Sequence, residues 1–419
     1  MWTLLKNIGV CVLVGVCIGL IAESVKAPHR KRLIATFKVQ QLFDHQYYRT
    51  TYSDSVRFGV SPFITYILKG NRELQNPSQD FDACFYYRAY MRYDRTVVEG
   101  LSPLAHWGQN PANITHLKFL KKVVPLKNPK YYLTLAAIFR NEERFLKEWI
   151  EYYRMMGVEH FYLTNHLSTD GYMEVLKPYM EKGLVTLRHE TREMKDADFK
   201  SKSFYIPQQI AAYQWAVDET KDKAEWLIIC DVDEFIVPYK AKTLCEALKG
   251  SKSSKGYDRF PAIALYWKFF GTSGVESLGE GELLIDKMRQ CMSDEKERVP
   301  LNIKTIMKPR YVKRAGVHCS VLKKGYLMVN SVQDYVPTLP HVCFSPAGNR
   351  MRVHHYQLRD KRFVRESRKM RYVKGSQKIR EAERYMLEVL DPYYCEEVCD
   401  VMERFVPQLR KRMGFKSEA

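Results

Sequence analysis

The 419-residue chain contains no Gly-x-Gly-x-x-Gly segment and no Gly-x-x-x-x-Gly-Lys-Ser/Thr loop. These absences argue against a classical dinucleotide-binding fold and a phosphate-loop ATPase. Ten cysteines are present, yet no C-x-x-C pair is matched by a second at zinc spacing, which argues against a structural zinc site. Acidic residues are outnumbered 48 to 67 by Lys and Arg, leaving a net charge of +19. Apolar content of 46%, with 28 Tyr, 20 Phe and 6 Trp, excludes a disordered chain.

What is present centres on Trp226-Leu-Ile-Ile-Cys-Asp-Val-Asp-Glu-Phe-Ile236. A short unbroken apolar run reads as a strand buried on both faces. Asp231 and Asp233 then lie at its C-terminal end, where open α/β sheets bind ligands. In an extended chain residues i and i+2 point the same way, so the two carboxylates are expected to face one ion together. Two hard oxygen ligands suit Mg²⁺ or Mn²⁺, which typically hold a substrate's phosphates. The competing reading is a strand-ending turn with Asp233 as a cap. Asp80-Phe-Asp82 and Asp196-Ala-Asp198 share the spacing but follow no apolar strand.

Strand and helix signals alternate from residue 131. Tyr131 to Phe139 is an apolar, β-rich run; Leu146, Trp149, Ile150 and Tyr153 then recur at helical spacing, with Gly157 closing the helix. Further strands are expected at 158–164 and 184–188, and helices at 173–182 and 207–220. This alternation predicts a mostly parallel sheet with helices on both faces. Asn165, Ser168 and Asp170 either bond a base or ribose at the sheet edge or form a polar turn. Residues 28–130 show little sustained period, and strands are expected near 84–91. We divide the chain into an anchor or signal at 1–27, a stem and accessory region at 28–130, a catalytic domain at 131–375 and a helical tail at 376–419.

Residues 8–22 carry no charge and, with residues 4–7, approach the length of a membrane span. An uncleaved anchor is the preferred reading; Val25-Lys-Ala27 resembles a cleavage site and supports the rival, a signal peptide. The basic cluster at Lys26, Arg30, Lys31 and Arg32 favours a cytosolic catalytic part. A lumenal setting would instead let the sequon Asn113-Ile-Thr115 be used and let Cys291, Cys319 and Cys343 form disulfides. We expect a Golgi or endoplasmic reticulum lumenal domain.

Several segments come in a fixed order: the Asn141-Glu-Glu strand end, Glu148-Trp-Ile-Glu-Tyr-Tyr153, Gly157-Val-Glu-His-Phe-Tyr-Leu163, Ser168-Thr-Asp-Gly171 and the central strand. Trp267-Lys-Phe-Phe-Gly271-Thr-Ser-Gly274, Lys304-Thr-Ile-Met-Lys-Pro309, Gly316-Val-His318 and His355-Tyr356 follow. Together they resemble glycosyltransferase family 92 and related family-2-like transferases with a GT-A fold. The resemblance covers residues 131–375 and implies a GT-A-type, Rossmann-like α/β domain. It further implies transfer of a sugar from a nucleotide-sugar, with UDP-galactose the suggested donor, to a glycan or glycoprotein acceptor with inversion. A divalent metal would bridge the diphosphate to Asp233, with Asp231 nearer the ribose and a third ligand from His355 or, less favoured, His318. Asn141, Glu142, Asn165, Asp170 and Lys361 are the expected donor-binding residues. Inversion needs a carboxylate base; Glu276, Glu280, Glu282 and Asp294 all follow the Gly271–Gly274 loop, and Glu276 is the one chosen.

A different class of function competes. Residues 350–380 hold twelve Lys and Arg against Asp360 and Glu366, with Tyr356, Phe363 and Tyr372 interleaved. That pattern would suit nucleic acid or anionic lipid. It leaves the Asp231 and Asp233 cluster unexplained, so no nucleic-acid partner is expected.

Overall fold

The computed structural model describes residues 40–53, 56, 60–70, 73–79, 81, 83–87, 91, 101–109, 121–192, 207–251, 254–294, 301–333, 335, 342–343, 350–371, 381 and 383–415. The anchor at residues 4–22, the sequon Asn113, Asp80, Asp82, Asp196, Asp198 and Tyr372 lie outside them. Among the described residues no helix is long and apolar enough to cross a membrane.

Two compact units divide near residue 120. In the first, short helices at His45–Thr51, Pro62–Thr65 and Pro103–Gln109 gather Phe43, Tyr48, Phe63, Tyr66 and Leu104 into a small aromatic core. Asp44 caps the first of them, accepting the Tyr47 amide at 2.9 Å. The strand expected near residues 84–91 is not found at its start, where Ala83–Tyr86 is helical.

The second unit is built on one large sheet. Its main strands are β1 (Tyr131–Phe139), β2 (His160–His166), β3 (Val185–Glu190), β4 (Ala224–Ile229), β5 (Glu234–Pro238), β6 (Ala262–Phe269), β8 (Leu301–Met307) and β9 (Met351–His355). Two short strands, β7 (Gln290–Cys291) and β10 (Glu397–Val398), pair with each other outside it. The main order is β3-β2-β1-β4-β8-β6-β9-β5.

β3, β2, β1 and β4 are parallel to one another. Beyond β4, β8 runs antiparallel to both β4 and β6, and β5 is antiparallel to β9. The sheet is therefore mixed, and the expectation of a mostly parallel one holds only for the half where strands and helices alternate in sequence. A parallel neighbour needs a long crossover; the later strands return through loops, which permit either direction.

Alternation along the strands explains why helices cover both faces. Leu133, Leu135 and Ala137 of β1, with Trp226 and Ile228 of β4, face one core. Ala136, Leu227 and Ile229 face the other. Helix α1 (Glu143–Met155) lays Leu146, Trp149, Ile150 and Tyr153 on the first face, and α2 (Tyr172–Glu181) adds Leu176 and Tyr179. Helix α3 (Pro207–Thr220) lays Tyr213, Ala216 and Val217 on the second. Each buried large apolar side chain contributes roughly 1.5–3 kcal/mol. Gly157, at φ 98°, ends the turn after α1 as expected.

The C-terminal residues belong to this unit. After α4 (Lys361–Arg371), the chain returns so that Met402, Phe405 and Leu409 enter the first core. There α5 (Val406–Met413) packs near α1, and Arg412 pairs with Glu151 at 2.9 Å.

Candidate active site at the turn after the central strand

All six residues of β4 are buried, and the chain then leaves the sheet in a tight turn. The Glu234 amide donates to the Asp231 carbonyl at 3.1 Å, and the Asp231 amide donates to the Glu234 carboxylate at 2.7 Å. This overturns the extended geometry expected for residues 231–233. The two aspartates are consequently engaged by different partners.

Asp231 is held from the β8 and α3 sides. Lys304 Nζ lies 2.9 Å from its Oδ2, and the Tyr213 hydroxyl donates to its Oδ1 at 2.8 Å. Lys304 also reaches Glu234 at 3.2 Å, and both of those side chains are fully buried. Burial disfavours the ammonium, but the two carboxylates outweigh it and raise the Lys304 pKa. Burial raises Glu234 to about 7 against the pull of Lys304.

Asp233 looks the other way, toward His355 Nε2 at 3.6 Å and Arg359 Nη2 at 3.8 Å. β9 carries His355 to this point because His355 is in register with Glu234 of β5. The Tyr356 amide then donates to the Asp233 carbonyl at 2.8 Å. Burial works against a charged Asp233, yet Arg359 and His355 prevail and hold its pKa well below the usual carboxylate range. Arg359 sits in the left-handed region at φ 53°, is 3% exposed, and lies over the Phe363 ring at 4.0 Å. Its Nη2 also donates to both oxygens of Glu142 at 2.8 Å. Burial nevertheless pushes Glu142 up to about 7, with Arg359 opposing and Asp233 adding to the rise.

The other expected residues divide. Asn141, at φ 55°, and the 165–170 loop interlock. The Asn141 amide donates to Ser168 Oγ at 3.0 Å, and its side-chain oxygen accepts the Thr169 amide at 2.7 Å. Asp170 accepts the Glu143 amide at 2.8 Å, while Asn165 Oδ1 accepts the Ser168 amide at 3.0 Å. These bonds are what the polar-turn reading requires. Glu276 is exposed and pairs with Arg365, and Lys361 opens α4 with its amide on the Val275 carbonyl at 3.2 Å. Arg359, which carries no signature of its own in the sequence, is the cation that reaches Asp233. His318 Nδ1 donates to the Ile303 carbonyl at 3.0 Å and lies against the Trp267 ring, whose centroid is 4.3 Å from that of His355.

Among the described residues, no three His, Cys, Asp or Glu side chains are gathered as a metal-binding group. Asp233 and His355 do offer a hard carboxylate oxygen and an imidazole nitrogen to one space, a pair that suits Mn²⁺ or Mg²⁺ completed by phosphate and water oxygens. His355 Nδ1 is buried without a hydrogen-bond partner among the described residues. Asp231, already bound to a cation and a hydroxyl, is better placed to orient the turn than to complete that set.

The glycine loop is filled by the chain itself. A Cβ on Gly271 would stand 2.2 Å from Cys395 Sγ and 2.7 Å from Asp391 Oδ1. Asp391 accepts the Thr272 amide at 2.6 Å and its hydroxyl at 2.7 Å. Close approach here is to the C-terminal segment. In the basic stretch, Arg352 pairs with Asp294 at 3.0 Å, Arg362 with Glu366 at 2.8 Å, and Arg365 with Glu276.

The profile of the family described as Glycosyltransferase family 92 matches residues 130–384. A family 92 protein of Ricinus communis is 23% identical over 202 residues, covering 48% of this chain and 33% of its own length. One from Oryza sativa subsp. japonica is 26% identical over 117 residues, covering 28% and 18%. The chain thus spans about a third or less of the length of these curated relatives. The structure titled S. aureus TarS 1-349 in complex with UDP is 13% identical, covers 42% of this chain and 47% of its own, and overlaps at a TM-score of 0.25.

Proposed function

Because the chain belongs to glycosyltransferase family 92, we propose that it transfers a sugar from a nucleotide-sugar, a UDP-sugar such as UDP-galactose, to a hydroxyl of a glycan or glycoprotein. The observation that carries this reading is the meeting of Asp233, His355 and Arg359 just beyond the C-terminal end of β4. A carboxylate, an imidazole and a guanidinium at that position suit a metal-bridged diphosphate.

Asp233 and His355 would hold the divalent ion, Mn²⁺ or Mg²⁺. Such an ion, when bound, offsets the negative charge that gathers on the leaving diphosphate, with no proton transfer. Arg359 presents its planar donors to the same oxygens, loosening its hold on Glu142 as it does so. Lys304 and Tyr213 keep Asp231 turned toward the ribose. Asn141, Glu142, Asn165 and Asp170 shape the loops around the nucleotide.

For an inverting displacement the acceptor hydroxyl must lose its proton to a carboxylate. We assign that role to Glu276. Its loop is fastened to the start of α4 by the Lys361 and Arg362 amides, which donate to the Val275 and Glu276 carbonyls at 3.2 and 2.9 Å. The loop therefore stays close in space to the segment that bears Arg359. We further propose that residues 4–22 anchor the chain in a membrane with this domain in the Golgi or endoplasmic reticulum lumen. An endoglycosidase shift abolished by Asn113→Gln would support that placement; an unglycosylated, protease-accessible domain in sealed microsomes would refute it.

The metal assignment is tested by titrating Mn²⁺ against the rate of donor turnover in His355→Ala and His318→Ala. His355→Ala should need the higher concentration. The opposite ranking would move the ligand to His318, and no change in either variant would remove both.

A further inference from the structure

The C-terminal segment rejoins the domain through β10, which pairs antiparallel with β7 so that Glu397 lies opposite Cys291 and Val398 opposite Gln290. Backbone bonds fix this register on both sides: the Glu396 amide donates to the Cys291 carbonyl at 3.0 Å, and the Cys399 amide to the Arg289 carbonyl at 2.8 Å. Alternate residues of a strand share a face, so Cys399 lies on the face of Glu397 and hence on that of Cys291. There the two thiols are neighbours, each acting on the ionisation of the other. Cys291 is 1% exposed, whereas Cys399 is only partly buried and open to a small reagent.

We propose that Cys291 and Cys399 form a disulfide when the protein meets an oxidising thiol–disulfide environment, covalently clamping the C-terminal segment to the edge of the catalytic domain. Other described thiols are engaged elsewhere. Cys319 Sγ lies 3.9 Å from Met328 Sδ in the second core, Cys395 Sγ is 3.4 Å from Asp391, and Cys230 Sγ is 3.2 Å from the Tyr153 hydroxyl. The proposal thus gives Cys291 a partner from beyond residue 376 in place of Cys319 or Cys343.

The reaction balances with a low-molecular-weight disulfide such as oxidised glutathione as the two-electron acceptor. The Cys399 thiolate attacks one glutathione sulfur, breaking the glutathione disulfide and releasing one glutathione thiolate. The Cys291 thiolate then attacks Cys399 Sγ in the mixed disulfide, forming the protein cross-link and releasing the second glutathione. The two thiol protons pass to the two released glutathiones. The order of attack follows from access and charge. The neighbouring Cys291 thiol outweighs the effect of burial and, with the Val401 amide and the charges of Lys268 and Arg352, favours the Cys399 thiolate, lowering its pKa.

The clamp bears on the candidate site because the same segment holds the glycine loop. Asp391 binds Thr272, and the Tyr394 ring stacks on Phe269 at 4.8 Å, while Phe269 in turn touches the His355 ring. The proposal does not depend on glycosyl transfer.

The full chain, equilibrated in a reduced and oxidised glutathione buffer, would be alkylated without reductant, digested and analysed by mass spectrometry. A Cys291 peptide joined to a Cys399 peptide is expected. Alkylation of both residues after oxidation, or linkage of either to Cys319 or Cys343, would overturn the proposal. Oxidation should also raise the wild-type Tm and leave that of Cys399→Ser unchanged; an equal rise in the variant would place the effect at another thiol.

Discussion

Lys304→Met removes a fully buried ammonium that lies 2.9 Å from Asp231 and 3.2 Å from Glu234. Glu234 is itself fully buried, with Oε1 lacking a hydrogen-bond partner among the described residues and Oε2 on the Asp231 amide. Without the lysine its charge loses its ion-pair partner in the interior. Breaking a buried pair from one side costs about 3–5 kcal/mol, whereas an exposed pair contributes about 0–1 kcal/mol. A typical domain has only about 5–15 kcal/mol of stability in total, so the difference is measurable. Urea unfolding followed by the fluorescence of buried Trp149 and Trp226 should show the larger loss. Adding Glu234→Gln to Lys304→Met removes the orphaned charge and should recover about 1–3 kcal/mol of it. A loss below about 1 kcal/mol for Lys304→Met, or strictly additive losses in the double variant, would refute the buried-network reasoning.

Two further outcomes follow from the same geometry. Arg359→Lys keeps the charge but loses the planar fork on Glu142, so calorimetric titration should show UDP affinity falling about ten- to a hundredfold, the value of a charged hydrogen bond; unchanged affinity would remove Arg359 from the donor site. Glu148 is raised by burial to about 7 from 4.5, although it accepts the Leu284 and Ile285 amides. Its folded pKa lies above its unfolded one, so its contribution is full below about pH 4.5 and is lost as pH rises through about 7. Between pH 5 and pH 8 the wild type should lose more unfolding free energy than Glu148→Gln; parallel profiles would contradict this.

Local signals were legible in the sequence wherever one element decides its own structure. The apolar run of β4 and the helical spacing of Leu146, Trp149, Ile150 and Tyr153 identify their elements because burial pattern and period coincide. Helix Pro207–Thr220 has the expected bounds. Features set by distant segments were not legible. The turn at Asp231 depends on Glu234 and on Lys304, which arrives from β8, and no local pattern reports that strand's antiparallel insertion beside β4. Lys361 and Arg359 are both cations near His355 in sequence; the left-handed backbone at Arg359 and its seat on Phe363 decide which one meets Asp233. The packing of Gly271 against Cys395 of the C-terminal segment is likewise reported by no local pattern. The mixed sheet and the integration of residues 391–415 into the core were hidden for the same reason.

Hydrolysis of a panel of UDP-sugars by the wild type and by Asp233→Ala, with added Mn²⁺ and with EDTA, tests the assignment of the donor site most directly. Asp233 is partly exposed in the turn after β4 and belongs to neither hydrophobic core, so the variant should remain folded by circular dichroism. Turnover of at least one donor by the wild type with Mn²⁺, abolished by EDTA and by Asp233→Ala, is the predicted result. A folded Asp233→Ala that retains full activity in EDTA would contradict it.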